Sequence, residues 1–266
     1  MKKIKAGLIQ LDIRLGKITE NLSSALKGIE KLGAENCDLA VLPEMWSCGF
    51  DNAKLYEHAK KTPDIIQRLQ QAACDRNIVI AGSLPEKFGR RIFNTMVIID
   101  KDGHIAGRYR KVHLFSLTGE HKYFGTGKKA VICTTSIGRV APLICYDLRF
   151  PELSRVMALK GAQIFLVSAQ WPIGRINHWD FLLRARAIEN QVFVVAVNRC
   201  GDDPEISYGG HSALISPGGE VLASAMGKET DCPSVFCGQI DLEEAQNMRN
   251  LIPCLKERVP QAYELF

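Results

Sequence analysis

Residues 140–144, Val-Ala-Pro-Leu-Ile, form a short apolar run that stops at Cys145, and Pro151 follows with the pattern of a helix start. A buried strand suits the run, and proline suits the first helical turn, where its fixed φ and missing N–H carry no penalty. Cys145 therefore sits at a strand-to-helix bend. Such a bend holds a side chain clear of the sheet, and the unsatisfied N–H groups at the helix start face a substrate oxygen. The positive end of the helix dipole favours a thiolate there. A free cysteine is nevertheless ordinarily a small buried hydrophobe, so the stretch needs partners before it reads as chemistry.

Two other segments supply them. Leu39-Ala-Val-Leu-Pro-Glu44 places a carboxylate at the end of a second short apolar strand, and Arg108-Tyr-Arg-Lys111-Val-His113 places a lysine after a Gly/Arg-rich turn. With Cys145-Tyr-Asp-Leu-Arg-Phe-Pro-Glu152, these segments make the chain resemble the nitrilase, or carbon–nitrogen hydrolase, superfamily. The resemblance covers nearly the whole chain, including Ser168-Ala-Gln-Trp-Pro172, Arg184-Ala-Arg-Ala-Ile-Glu-Asn190 and Gly210-His-Ser212.

The resemblance implies a Glu–Lys–Cys triad on Glu44, Lys111 and Cys145. Glu44 would act as the base, Lys111 and the backbone N–H of Tyr146 as oxyanion donors, and Cys145 as the nucleophile that forms a thioester. Glu120 matches a second glutamate that orients the triad, with a solvated loop charge as the plain alternative. The implied fold is a four-layer α-β-β-α sandwich with two mixed sheets, paired through its outer helices into a homodimer or larger assembly. Only a small amide substrate and water are implied, with no cofactor and no metal. The branch most resembled is the omega-amidase-like one, which acts on α-keto acid amides such as α-ketoglutaramate. Deaminated-glutathione amidase, N-carbamoyl-amine hydrolase and nitrilase remain as alternatives, although Tyr146 stands where aliphatic nitrilases tend to show Trp. A catalytically idle interaction protein on the same fold is the alternative of another class.

Phe115, Phe124, Trp171 and Trp46 are candidate pocket residues, and Arg149 is suited either to a substrate carboxylate or to a structural ion pair. His113 reads as a hydrogen-bonded structural histidine, and His178 and His211 have no identifiable carboxylate partner in the sequence.

Composition bounds the alternatives. The 266 residues, with 46% hydrophobic and 24% charged, suit a single domain over 1–266 without a linker. The formal charge of +5 arises from 34 basic and 29 acidic residues spread along the chain, which argues against a nucleic-acid surface. No apolar run is long enough to cross a bilayer, and no secretory segment is expected. Nine cysteines, an odd number without repeating spacing, predict free thiols in a reducing cytoplasm. Cys232 and Cys237 lie closest in sequence, but no Cys-x-x-Cys or histidine set accompanies them, so no zinc site is expected.

Periodicity predicts a strand over 4–13, then a helix on Leu22, Ala25, Leu26, Ile29 and Leu32 ended by Gly33, then a strand over 37–42. Thr62-Pro63 reads as a capped helix start, and 78–80 as a strand. A hairpin turns at 100–103, residues 116–127 form a loop, and strands at 131–133 and 140–144 precede a helix over 151–160. A strand at 164–167, a loop over 168–176, an Asn177-capped helix to Asn190 and a strand at 192–197 follow. The rest reads as a hairpin around 217–219, a strand at 234–240 and a helix capped by Asp241. The interleaving fits a layered α/β domain with mixed sheets.

Overall fold

The computed structural model describes residues 3–204, 206–225 and 232–263. Its strands are β1 (Lys3–Gln10), β2 (Leu39–Val41), β3 (Val79–Phe88), β4 (Arg91–Ile99), β5 (Ile105–Arg110), β6 (Cys133–Thr135) and β7 (Gly138–Ile144), followed by β8 (Ile164–Ala169), β9 (Phe193–Asn198), β10 (Cys200–Asp202), β11 (Ser207–Gly209), β12 (Ala213–Ile215), β13 (Val221–Ser224) and β14 (Ser234–Asp241). The helices are α1 (Ile18–Ala34), α2 (Leu55–Arg76), α3 (Glu120–Tyr123), α4 (Pro151–Leu159), α5 (Ile176–Asn190) and α6 (Leu242–Leu251).

Alternation along each strand builds the layers. In β1, Ile4, Ala6 and Leu8 face the opposing sheet, whereas Ile9 faces α1 and α2. The first sheet has the order β14-β1-β2-β3-β4-β5 and the second the order β13-β12-β9-β8-β7-β6, each mixing parallel and antiparallel pairs. Leu39, Val41, Val79 and Met96 pack against Val140, Leu166, Val195 and Leu214 between the sheets. On the outer faces, Leu22, Ile29, Leu32, Ile65 and Leu69 of α1 and α2 cover the first sheet. Met157, Trp179, Leu183 and Ala187 of α4 and α5 cover the second. The result is the expected α-β-β-α sandwich. Gly7 makes one layer contact possible, because a Cβ there would lie 2.4 Å from Leu32 Cδ1 on α1.

Several local expectations change. Gly33 does not end α1; a Cβ there would meet Arg76 Cβ at 2.9 Å, so the glycine instead lets α1 approach α2. The helix expected to start at Thr62-Pro63 begins at Leu55 and carries Pro63 inside it. Burial of Leu55 and Ala59 against Met45, Cys48 and Ile92 offsets the single hydrogen bond that proline removes. The Thr62 hydroxyl donates to the Pro85 carbonyl, 2.6 Å away, rather than capping the helix. Helix α5 starts at Ile176 without a side-chain cap, so Asn177 does not play that part. The expected loop over 116–127 contains a turn of helix and α3.

The expectation of uniformly free thiols fails at Cys200 and Cys232, which are disulfide-bonded with Cα atoms 6.0 Å apart. The end of β1 brings them together: Gln10 pairs with Ser234 on β14, and Asp12 bridges to Cys200. Among the described residues, no helix is long and apolar enough to cross a membrane.

Candidate active site

Strand β2 runs parallel to β1 and β3, and β8 runs parallel to β7 and β9; the C-terminal ends of β2, β7 and β8 meet along one edge where the two sheets are stitched together. The Ser168 hydroxyl, near the end of β8, donates across to the Leu42 carbonyl at 2.7 Å. Glu44, Lys111 and Cys145 all emerge at this edge.

Cys145 ends β7 with φ of +48°, a left-handed conformation uncommon for a residue with a side chain. Asp147 holds this bend. It is fully buried, and one oxygen accepts from Ile144 N at 3.0 Å and from the Tyr109 hydroxyl at 2.7 Å. Its other oxygen accepts from the backbone N of His113 at 2.9 Å and lies 2.8 Å from His113 Nδ1. The cysteine turn is thereby bolted to the segment that carries Lys111. His113 stacks on Phe150 with ring centroids 3.6 Å apart, as suits the structural histidine expected.

Lys111 follows β5, and its Nζ lies 2.8 Å from Glu44 Oε1 and 2.8 Å from Glu120 Oε1. Glu44 Oε1 also accepts from Asn94 Nδ2 at 2.8 Å, and Oε2 accepts from the backbone N of Gln170 at 3.0 Å. Gln170 Nε2 donates to the Glu44 carbonyl at 2.8 Å, so Glu44 is clamped from side chain to backbone. Glu120 is buried, not a solvated loop charge, and its Oε2 accepts from Phe115 N at 3.1 Å.

The charges are strongly coupled. Burial works against the Lys111 ammonium, but Glu44 and Glu120 outweigh it and leave its pKa raised. Burial pushes the Cys145 thiol well above its ordinary value of 9.0, Glu44 pushes the same way, and Lys111 opposes them. The thiolate expected from the helix dipole is therefore not the resting form. Helix α4 begins only at Pro151, beyond an intervening turn, and the nearer carboxylates dominate. The Lys111 ammonium already occupies the space between Glu44 and Glu120 that a metal ion would need, and it satisfies both carboxylates.

Cys145, Glu44 and Glu120 line a cavity of about 580 Å³, with Phe115, Tyr146 and Trp171 on its walls. Arg149 and Arg175 line it too. Arg149 lies over the Trp171 ring at 4.8 Å and contacts His178 Nδ1 at 3.1 Å. The Arg175 guanidinium lies 5.5 Å from the Phe115 ring centroid. Among the described residues neither arginine forms an ion pair with a carboxylate.

Phe124 and Trp46 do not belong to the cavity. Phe124 packs edge-on against Phe50 at 6.1 Å in a small apolar cluster, and Trp46 is fully buried against Gly82. His211, for which no carboxylate was identified, pairs with Asp180 at 3.1 Å.

Sequence reasoning missed Asn94, Asp147, Gln170, Arg175 and Asn198. Asn198 Oδ1 accepts from Trp171 N at 2.6 Å and its Nδ2 donates to Trp171 O at 3.1 Å, fixing the cavity wall. Asp147 had a signal, an acid directly inside an otherwise buried motif. Gln170 lies inside the Ser168–Pro172 motif, whereas Asn94, Arg175 and Asn198 carry no local signal.

Residues 5–250 match the family model for carbon-nitrogen hydrolases. The chain is 41% identical to the 2-oxoglutaramate amidase of Bacillus subtilis, over 92% of this chain and 93% of that protein. It is 30% identical to the chloroplastic omega-amidase of Arabidopsis thaliana, over the whole chain and 75% of the relative. The crystal structure of a carbon-nitrogen hydrolase from Helicobacter pylori superposes with a TM-score of 0.92 at 27% identity, covering 98% of this chain and 97% of the other.

Proposed function

The chain belongs to the carbon-nitrogen hydrolase family, and from that premise we propose that it is an omega-amidase, hydrolysing the terminal amide of a small α-keto acid amide such as α-ketoglutaramate. The observation that carries this reading is a cavity lined by Cys145 and Glu44, with Lys111 held against Glu44 behind its wall, that also presents two arginines without carboxylate partners among the described residues. The names and high coverage of the relatives support the substrate class.

Because the resting thiol is protonated, proton transfer accompanies attack. Glu44 takes the Cys145 proton as sulfur bonds to the amide carbon. An ammonium has three N–H donors; Lys111 spends two on Glu44 and Glu120 and turns the third to the substrate oxygen. The backbone N–H of Tyr146 is the second oxyanion donor. Collapse of the tetrahedral intermediate breaks the C–N bond, and the proton held by Glu44 leaves with ammonia. Water then attacks the thioester, Glu44 accepts its proton, and C–S cleavage frees the carboxylic acid and restores the thiol. Glu120 is a positioning residue that fixes Lys111. Arg175 and Arg149 receive the substrate carboxylate, and Phe115 and Trp171 shape the cavity between them and Cys145.

The 1–266 chain works as one domain, as a homodimer in the cytoplasm. Val156, Leu159, Phe181 and Ile188 leave exposed apolar surface on α4 and α5, which supports pairing through those helices. Seven of the nine cysteines are free, the usage of a reducing compartment, and the Cys200–Cys232 bond is the exception to it.

The test is ammonia release from α-ketoglutaramate, α-ketosuccinamate, deaminated glutathione, an N-carbamoyl amino acid and an aliphatic nitrile, each with wild type and Cys145→Ala. Cys145-dependent release confined to the keto acid amides is expected. Preference for any other member of the panel overturns the substrate assignment.

A further inference from the structure

At the end of β2 opposite Glu44, the fold gathers groups that are remote in sequence and play no part in the cavity. Cys37 precedes β2 and is buried under α1, Cys237 lies on β14, and Glu35 directly follows α1. Cys237 Sγ is 3.3 Å from Glu35 Oε2, and the two sulfurs lie within 4.8 Å of each other. All three donor atoms lie within 4.8 Å of one another. Lys5 completes the cluster: its Nζ is 3.6 Å from Glu35 Oε2 and donates to the Glu35 carbonyl at 2.8 Å.

We infer that Glu35, Cys37 and Cys237 form a binding site for a thiophilic divalent cation of the zinc class, distinct from the hydrolytic centre. Two thiolates and a carboxylate are a soft, anionic donor set suited to such an ion. Tetrahedral zinc, with bonds of about 2.3 Å to sulfur and about 2.0–2.2 Å to oxygen, separates its ligands by roughly 3.5–3.8 Å, close to the spacing found between Cys237 and Glu35. Charge supports the choice as well. The three ligands carry three negative charges when deprotonated, and a divalent ion together with the Lys5 ammonium neutralises them. Lys5 holds Glu35 through its carbonyl and carboxylate rather than acting as a ligand, the kind of surrounding contact that orients metal ligands. Water takes the fourth position on the exposed side of Glu35.

The proton balance is defined. Each thiol gives up its proton to solvent as the cation–sulfur bond forms, because the thiolate is the metal ligand. Cation affinity therefore rises with pH. The ion would tie the edge strand β14 to the end of α1 and the start of β2, beside the β1 ladder and the Lys31 contact to the Val235 carbonyl.

Cobalt(II) titration of the full chain tests the inference, since thiolate-to-cobalt charge-transfer absorption reports sulfur ligation directly. Wild type is expected to bind one equivalent with that absorption and to melt at higher temperature with zinc. Cys145→Ala should keep the spectrum. Cys37→Ser and Cys237→Ser should each lose most of it, and Glu35→Gln should weaken binding; Cys237 is only partly buried, so its variant guards against misfolding of the Cys37 one. An unchanged spectrum in the Cys37→Ser/Cys237→Ser double variant, or loss in Cys145→Ala, overturns the site. So does a wild type that binds no cobalt, with or without a Cys37–Cys237 cross-link in its peptide map. Ammonia release plays no part in the readout, so failure of this site and failure of the amidase reading are separable.

Discussion

Lys111 Nζ lies 2.8 Å from Glu120 Oε1, the same distance that separates it from Glu44, so the ammonium is suspended between two buried carboxylates. Removing the Glu120 charge frees Lys111 to swing toward Glu44. Glu120→Gln is expected to lower kcat by about 100-fold, the scale of a misplacement near 1 Å, with little change in KM. Steady-state kinetics with a far-ultraviolet dichroism control checks this. A variant with wild-type kcat would return Glu120 to a purely structural part.

The resting state of Cys145 gives a pH prediction. Its raised pKa means that thiolate is scarce at neutral pH and grows tenfold per unit as pH rises toward the folded pKa, which lies above the ordinary 9.0. The ultraviolet thiolate difference between wild type and Cys145→Ala is expected to be absent at neutral pH and to appear only in strongly alkaline solution. A thiolate plateau at neutral pH would show that Lys111 wins over burial and Glu44.

The Asn94 carbonyl accepts from Lys111 N at 2.9 Å, its side-chain amide donates to Glu44, and among the described residues its own Oδ1 is buried without a partner. Hydrogen bonds to charged groups are worth about 1.5–3 kcal/mol, so Asn94→Ala should lose roughly 10- to 100-fold in kcat/KM. Asn94→Asp replaces the donor with a second carboxyl beside Glu44 and should lose at least as much. Wild-type kcat/KM in Asn94→Ala would mark Asn94 as a packing residue only.

Arg175 separates binding from chemistry. Arg175→Ala should raise KM for α-ketoglutaramate by roughly 10-fold or more, from loss of a charge-assisted contact, while a neutral amide of similar length keeps its kinetics. Equal losses on both substrates would place the carboxylate elsewhere, with Arg149 the next residue to change.

The layers, most strands and the Glu44, Lys111 and Cys145 positions were legible in the sequence, because apolar alternation and local motifs report on neighbouring residues. What escaped depends on contacts between remote segments. Pro63 looked like a helix start because nothing local revealed that Leu55 and Ala59 would be buried. Phe124 and Trp46 looked like cavity walls, but an aromatic side chain in a motif carries no information about which side of the strand edge it packs on. The Asn94 and Gln170 contacts to Glu44 span 50 and 126 residues. Cysteine spacing failed for the same reason: Cys232 joins Cys200 across the end of β1, and Cys237 meets Cys37 rather than its sequence neighbour.

Mass analysis of the Cys145 peptide after mixing wild type with α-ketoglutaramate and quenching rapidly in acid tests the central claim most directly. The account predicts an acyl adduct on Cys145, one amide's acyl group with ammonia lost, released by hydroxylamine and absent from Cys145→Ala, which also produces no ammonia. Ammonia release by Cys145→Ala at the wild-type rate, with no adduct on the wild-type peptide, would contradict it.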